Sequence, residues 1–252
     1  MPRSDGYGDG TSWSSERGNL PSSGGGLRDN GGRGHDSGNN DYGYQGYNGL
    51  PVKNITLVTT ASYDGYTMSL YINNLIMHEG FKNQMYADTV GNITVGIGHL
   101  ISSPEMAAAL PFSKTNIVRG HNSEDYNEVS LTKKQISLIF DNYKENKKYP
   151  PNIHLSNNAV IGLAVNDVKS TISGLKGIYS DFDSFPNSAK VALVDMGFNL
   201  GIGKLKTTFT NFNAAVERKD WNTAADESHR TIIGEIRNQH TKGLFQQAAK
   251  GH

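Results

Sequence analysis

From Met68 onward the apolar positions fall at helical spacing. Met68, Tyr71, Ile72, Leu75 and Ile76 recur at i, i+3, i+4, i+7 and i+8 and predict an amphipathic helix that begins near Thr67. Gly80 supplies a stop, which puts Glu79 at the carboxyl end of that helix. Met85-Tyr86-Ala87 and Ile93-Thr94-Val95-Gly96-Ile97 read as short strands about a turn over residues 88–92, a small β-hairpin. Ser103-Pro104-Glu105 opens another helix with proline in its first turn. Residues 113–130 are polar and read as a loop. Thr132 stands three positions before Gln135, a capping box, and the helix it opens carries Ile136, Ile139, Phe140 and Tyr143. Residues 144–151 are polar and end at Pro150-Pro151, a break. A helix is predicted over 159–172, then a connector over 174–183. Ser184-Phe185-Pro186 opens the strongest helix of the chain, in which Ala189, Val191, Ala192, Leu193, Val194, Met196, Phe198 and Leu200 are interrupted by Asp195. A helix that is apolar nearly all round belongs in the middle of a domain. Gly201 and Gly203 are read as its end. Two short helices follow over 210–218 and 221–225, the second capped by Asp220. A closing helix over 235–249 carries Arg237 in its first turns.

The first 50 residues follow no such period. They hold roughly half of the chain's 29 glycines with many Ser, Asn and Asp, and almost no branched aliphatic residues. Such a segment buries too little apolar area to offset its chain entropy and is expected to be a disordered tail. A flexible linker is the plain reading of it. Trp13, in Asp9-Gly10-Thr11-Ser12-Trp13-Ser14-Ser15-Glu16, has no core to join there and is a candidate anchor for a folded partner. Residues 51–66 hold a β-like run, Ile55-Thr56-Leu57-Val58-Thr59-Thr60, and a turn at Asp64-Gly65; they read as a linker or a short strand.

Charge and composition narrow the partners. The formal net charge is zero, which gives no argument for nucleic acid or an anionic membrane. With no cysteine there are no disulfides and no thiol chemistry. MPRSDGYGDG lacks a basic stretch followed by an apolar one, so no signal peptide is expected, and release from the producing cell would be by lysis or another unsignalled route. No apolar run approaches the ~20 residues that span a bilayer.

Glu79 and Asp88 form a candidate pair of carboxylates. Glycoside hydrolysis needs one protonated acid for the leaving oxygen and one carboxylate across the bond, acting as nucleophile or as base for a water. Near Met77 and Phe81 a glutamate is expected to titrate high, while an aspartate on an exposed hairpin stays ionised. Thr94 offers a hydroxyl that both donates to and accepts from a water beside Asp88. Two acids nine positions apart are also what a solvated surface provides. His99 is a candidate for the cleft or a packing residue, and Arg237 for the cleft or an ion pair with a helix acid. His78 next to Glu79 does not make a zinc motif, because the residue one turn on is Lys82.

Two resemblances add to these observations. Glu79, Asp88-Thr89 and Thr94-Val95-Gly96-Ile97-Gly98-His99 resemble the phage endolysin lysozymes typified by the T-even phages, in which Glu, eight residues, Asp or Cys, five residues and Thr precede a Gly-Ile-Gly-His turn. The stretch from Ala192 to Gly201, the run Asp220-Trp221-Asn222-Thr223-Ala224-Ala225 and the segment from Arg237 to Phe245 are similar to later helices of that family. The resemblance runs over about 67–249. It implies an α+β, mostly helical, two-lobed lysozyme-like domain over 67–252 with a small β-hairpin and no cofactor or metal. It also implies an inverting muramidase that cleaves peptidoglycan between N-acetylmuramic acid and N-acetylglucosamine, with Glu79 as general acid and Asp88 and Thr94 positioning the water. Separately, Asp9, Gly10, Trp13, Ser14, Ser15 and Glu16 stand as in the TolB-binding box of the nuclease colicins. That likeness implies a translocation tail, with TolB, an outer-membrane porin and an immunity protein as partners. Together they describe a monomeric bacteriocin, made in the cytoplasm, released, and acting in the periplasm of a target bacterium. A phage endolysin with a flexible tail and a non-catalytic peptidoglycan-binding module are the alternatives.

Overall fold

The first helix, α1 (Gly65–Glu79), buries Met68, Tyr71, Ile72, Leu75 and Ile76, the face its spacing predicts. It begins at Gly65, two residues before the expected Thr67. It belongs to a computed structural model that describes residues 65–88, 90–119 and 124–251. The expected tail over 1–50, the residues of the TolB-like box and the β-like run at 55–60 lie outside the described residues.

Three strands follow α1. β1 (Lys82–Ala87) and β2 (Ile93–Gly96) form the predicted hairpin, with Tyr86 opposite Thr94 and Ala87 opposite Ile93. The chain then turns at Gly98 and adds β3 (His99–Leu100) to β2, with His99 opposite Val95. Next comes α2 (Pro104–Ala108), capped by the Ser103 side chain, which accepts from the Met106 N–H.

The expected loop over 113–130 is instead a second hairpin. β4 (Ser113–Arg119) pairs with β5 (Glu124–Ser130), from Ser113 opposite Ser130 through Ile117 opposite Tyr126. β6 (Ile153–His154) joins the other edge of β4. This hairpin escaped the hydrophobic pattern because it buries no face. Ile117, Tyr126 and Val129 stay exposed. Backbone pairing holds it, with hydroxyl bonds from Ser113 and Thr115 to the Glu128 carboxylate. Alternation marks a strand only where one face meets a core.

α3 (Lys133–Asn146) opens with the predicted capping box, Thr132 and Gln135 each satisfying the other's backbone. It runs into the polar stretch expected to break it and stops at Lys147, whose φ is +55. α4 (Asn157–Lys176) is longer than predicted at both ends, with Ser156 as its cap. It packs on β1, β2 and β3 at one end and on α5 and α6 at the other, so it joins the sheet-bearing lobe to the helical one.

α5 (Asn187–Leu200) is the buried central helix its composition predicts. Ala189, Ala192, Leu193, Val194 and Met196 are all essentially sealed from solvent. Gly201, at φ +78, ends it. Gly203 does not act as a stop. It lies inside an unpredicted helix, α6 (Ile202–Thr208), because weak glycine propensity yields to tertiary packing. α7 (Thr210–Glu217) and α8 (Trp221–Glu227) match the two short helices, and Asp220 caps the second by accepting from the Thr223 N–H. α9 (Glu235–Ala249) has the predicted bounds and packs on α5 and α8. The result is a mostly helical α+β domain.

Candidate active site

Glu79 is the last residue of α1. A carboxylate there faces the negative end of the helix dipole, so its position has to be compensated. The compensation comes from α9. The Arg237 Nη1–H donates to Glu79 Oε1 at 2.7 Å. Of the two apolar residues expected near the carboxylate, Met77 is exposed, and a guanidinium meets the acid. Gly98 closes the other side. At φ +72 it turns the chain, and a Cβ placed on it would lie 3.1–3.2 Å from Cγ, Cδ and Oε2 of Glu79. The second glycine of the Gly-Ile-Gly turn thus lets the backbone approach the acid.

Arg237 is shared. Its Nη2–H donates to Asp195 Oδ1 at 2.7 Å, and its Nε–H to the same oxygen at 3.1 Å. Asp195, the interruption in α5, is almost wholly buried at 1% side-chain exposure. It also faces Arg230, whose Nη2–H donates to Asp195 Oδ2 at 2.8 Å and to the Thr241 hydroxyl at 2.7 Å. Asn238 pins the Arg230 backbone on both sides, accepting from its N–H and donating to its carbonyl. The charges alternate along one line: Arg230, Asp195, Arg237, Glu79. Burial acts most strongly on Asp195 and would raise its pKa, but the bonds and charges of Arg237 and Arg230 outweigh it and hold the carboxyl below the usual range.

Asp88 sits just past β1 and organises the hairpin turn. Its Oδ1 accepts from the N–H groups of Asn92 at 2.8 Å and Val90 at 3.0 Å, and its Oδ2 accepts from Asn92 Nδ2 at 2.9 Å. Burial pulls its pKa up, but these hydrogen bonds prevail and hold it low, in the ionised form. Thr94 is buried in β2 and its hydroxyl donates to the Tyr86 carbonyl at 3.3 Å.

Tyr86, on β1 between the two acids in sequence, lies opposite Thr94 on β2. Burial pushes its phenol above the ordinary value; Thr94 and the Gly98 N–H bond to it, and the Glu79 and Asp88 carboxylates both act on it. The Lys82 ammonium lies 3.8 Å from its ring centre. Tyr86 was not a sequence candidate.

The remaining candidates separate. His99, on β3, is bound through Nδ1 to Asp167 Oδ2 of α4 at 2.8 Å, a pairing across the sheet–helix join. Arg237 makes the ion pair with a helix acid, and does so twice, with Glu79 and with Asp195. His78 faces His240 of α9, with Nε2 and Nδ1 3.1 Å apart. Burial is the main reason that the His78 pKa is lowered to about 4. Asp167, Arg230 and His240 were missed because nothing in sequence spacing pairs residues from 35 to 162 positions apart. Asp195 did leave a signal, as the one charge in an apolar helix.

No family model matches the chain. Over 150 residues, 59% of its length, it is 29% identical to "Probable T4-type lysozyme 1" of Dictyostelium discoideum and 30% identical to "Probable T4-type lysozyme 2" of the same organism. The alignment covers 75% of each relative. With that identity, that coverage and a mostly helical α+β domain behind it, the chain belongs to the family of T4-type lysozymes.

Proposed function

We propose that the chain hydrolyses peptidoglycan as an inverting muramidase, cleaving the β-1,4 bond between N-acetylmuramic acid and N-acetylglucosamine. Glu79 donates the proton to the leaving oxygen. Asp88, held ionised by its turn, orients and activates the water with the Thr94 hydroxyl. The observation that carries this reading is the placement of Glu79 at the end of α1 against Gly98, followed by a hairpin that holds Asp88 in its turn and Thr94 in its second strand. Membership of a lysozyme family supports the substrate class. Glu79→Gln is expected to lower dye release from purified sacculi by at least ~10²-fold, the order of a lost general acid. Its melting temperature should not fall, because Arg237 keeps Asp195. Release by Glu79→Gln at the wild-type rate would sink the assignment. Equal inactivity of the wild type and the variant would favour a non-catalytic binding module.

The amino-terminal motif extends the proposal. Asp9, Gly10, Trp13, Ser14, Ser15 and Glu16 support a tail that binds TolB and is delivered through a porin, making the enzyme the payload of a bacteriocin with its own immunity protein. Deleting residues 1–50 is expected to leave sacculus hydrolysis intact and abolish killing of whole cells. Equal killing by the truncated protein, or no calorimetric binding of the tail peptide to TolB, would leave a phage-type endolysin with a flexible tail as the reading.

A further inference from the structure

His78 and His240 take no part in the proposed reaction, yet they face each other beside it. His78 lies in the last turn of α1, next to Glu79, and His240 lies one turn after Arg237 on α9. Folding brings Nε2 of the first and Nδ1 of the second to 3.1 Å. The rings are tilted by 56° with centroids 5.1 Å apart, so they meet through these nitrogens and not by stacking. One hydrogen lies between two such nitrogens, and the other presents a lone pair. The same separation suits a shared metal ion. Imidazole nitrogens bind zinc at about 2.0–2.1 Å, which sets two of them about 3.3 Å apart in a tetrahedral site; 3.1 Å corresponds to an N–metal–N angle of about 100°. Binding needs no net release of a proton: the donor ring carries its hydrogen on its other nitrogen, and both facing lone pairs turn to the ion.

We propose that His78 Nε2 and His240 Nδ1 form a two-histidine site for a borderline transition-metal dication such as zinc, which clamps the end of α1 to α9. Both positions are anchored: His78 follows the buried Leu75 and Ile76, and His240 lies between the buried Asn238 and Thr241. Both residues are half-buried, so a hydrated ion can reach them. The charges around the pair balance, Arg237 and Arg230 against Asp195 and Glu79, so a cation is not repelled. Neutral imidazole selects zinc and its neighbours over magnesium and calcium, which take oxygen ligands. Among the described residues no cluster of three or more ligating side chains forms. Water therefore completes the shell, and the ion is a dissociable clamp. It acts where Glu79 and Arg237 meet, but the site stands on its own geometry and does not depend on the muramidase reading. An ion held by the folded pair, and not by the separated histidines of the unfolded chain, adds to stability.

The test takes the full-length protein, stripped of metal by a chelator, titrates it with Zn2+ in a calorimeter and melts it with and without the ion. One ion per chain is expected at this site, with the melting temperature raised by about 5–10 °C at a hundredfold excess of Zn2+ over its Kd, and no rise with Mg2+. His78→Gln and His240→Gln each keep an amide able to hydrogen-bond across the gap. Each is expected to weaken binding at least about tenfold, no less than the loss of an outer-shell partner does, and to erase the Zn2+ shift. The chain has 8 histidines, so binding elsewhere survives in both variants. Undiminished binding and shift in either variant overturn the proposal, as does a wild-type melting temperature that Zn2+ leaves in place or lowers, or that Mg2+ raises equally. A measurement on the wild type covers a variant that fails to fold. With one Cu2+ per chain, its electron paramagnetic resonance spectrum is expected to show coupling to two nitrogens, and one nitrogen or none overturns the proposal.

Discussion

At the end of α1 one glutamate is exposed to three unfavourable influences: a helix terminus of its own sign, partial burial, and the approach of the Gly98 backbone. Arg237 offsets the first two. Only glycine satisfies the third. Gly98→Ala places a Cβ at φ +72, a strain of about 1–2 kcal/mol for an L-residue, and presses it against a carboxylate that Arg237 keeps from retreating. The expected outcome is a lowered melting temperature together with dye release reduced at least about tenfold, the order of a misplaced reacting group. Unchanged hydrolysis by a folded Gly98→Ala protein would show that Glu79 has room to move. The turn itself was legible as Gly96-Ile97-Gly98. That its second glycine abuts Glu79, nineteen positions earlier, was not, because contact across a hairpin leaves no local mark.

Among the elements, α6 shows how packing overrides local preference. Ile202, its first residue, inserts between α4 and α5 at two glycines. A Cβ on Gly174 would meet Ile202 Cγ1 at 2.4 Å, and one on Gly197 would meet Thr171 Cγ2 at 2.9 Å. Gly174→Ala should therefore destabilise by about 1–3 kcal/mol through overpacking, although alanine is the better helix former. Gly162, on the same helix with nothing within 4 Å of its would-be Cβ, provides the control. Gly162→Ala should stabilise by up to about 1 kcal/mol. Thermal melts of the two variants compare the effects directly, and equal shifts would refute the packing account. The amphipathic helices, the capping box and the buried α5 were all readable because each has a periodic or local cause. The β4–β5 hairpin was not, since its strands have no buried face to impose alternation.

Across the whole molecule, α1, α5 and α9 are tied at one locus by charges and by the His78–His240 contact. This predicts an acid-sensitive fold. The lowered pKa of His78, about 4 in the folded protein, lies beneath its ordinary value of 6.5, chiefly through burial. Between those values the unfolded chain binds more protons than the folded one, so stability is present above 6.5 and is lost as pH falls toward 4. Asp195, also depressed, contributes above its ordinary 3.8 and is lost only on further acidification. Melting temperatures of the wild type should decline from pH 6.5 to 4, and His78→Gln should flatten that decline. Parallel slopes would remove His78 as the cause.

The chain by itself determined the helices with one apolar face, the buried central helix, the small hairpin and the spacing of Glu79, Asp88 and Thr94, because periodicity, caps and glycines act over a few residues. It also carried a resemblance to the lysozymes, the family to which its relatives belong. The tertiary structure alone decided which charges meet. Arg237 could have served the cleft or paired with an acid; folding placed it against both Glu79 and Asp195, with Arg230 beneath them. Those partners lie 35, 42 and 158 residues apart. A buried charge is tolerated only where a counter-charge arrives from another element, and that is a property of the assembled core rather than of any stretch of sequence.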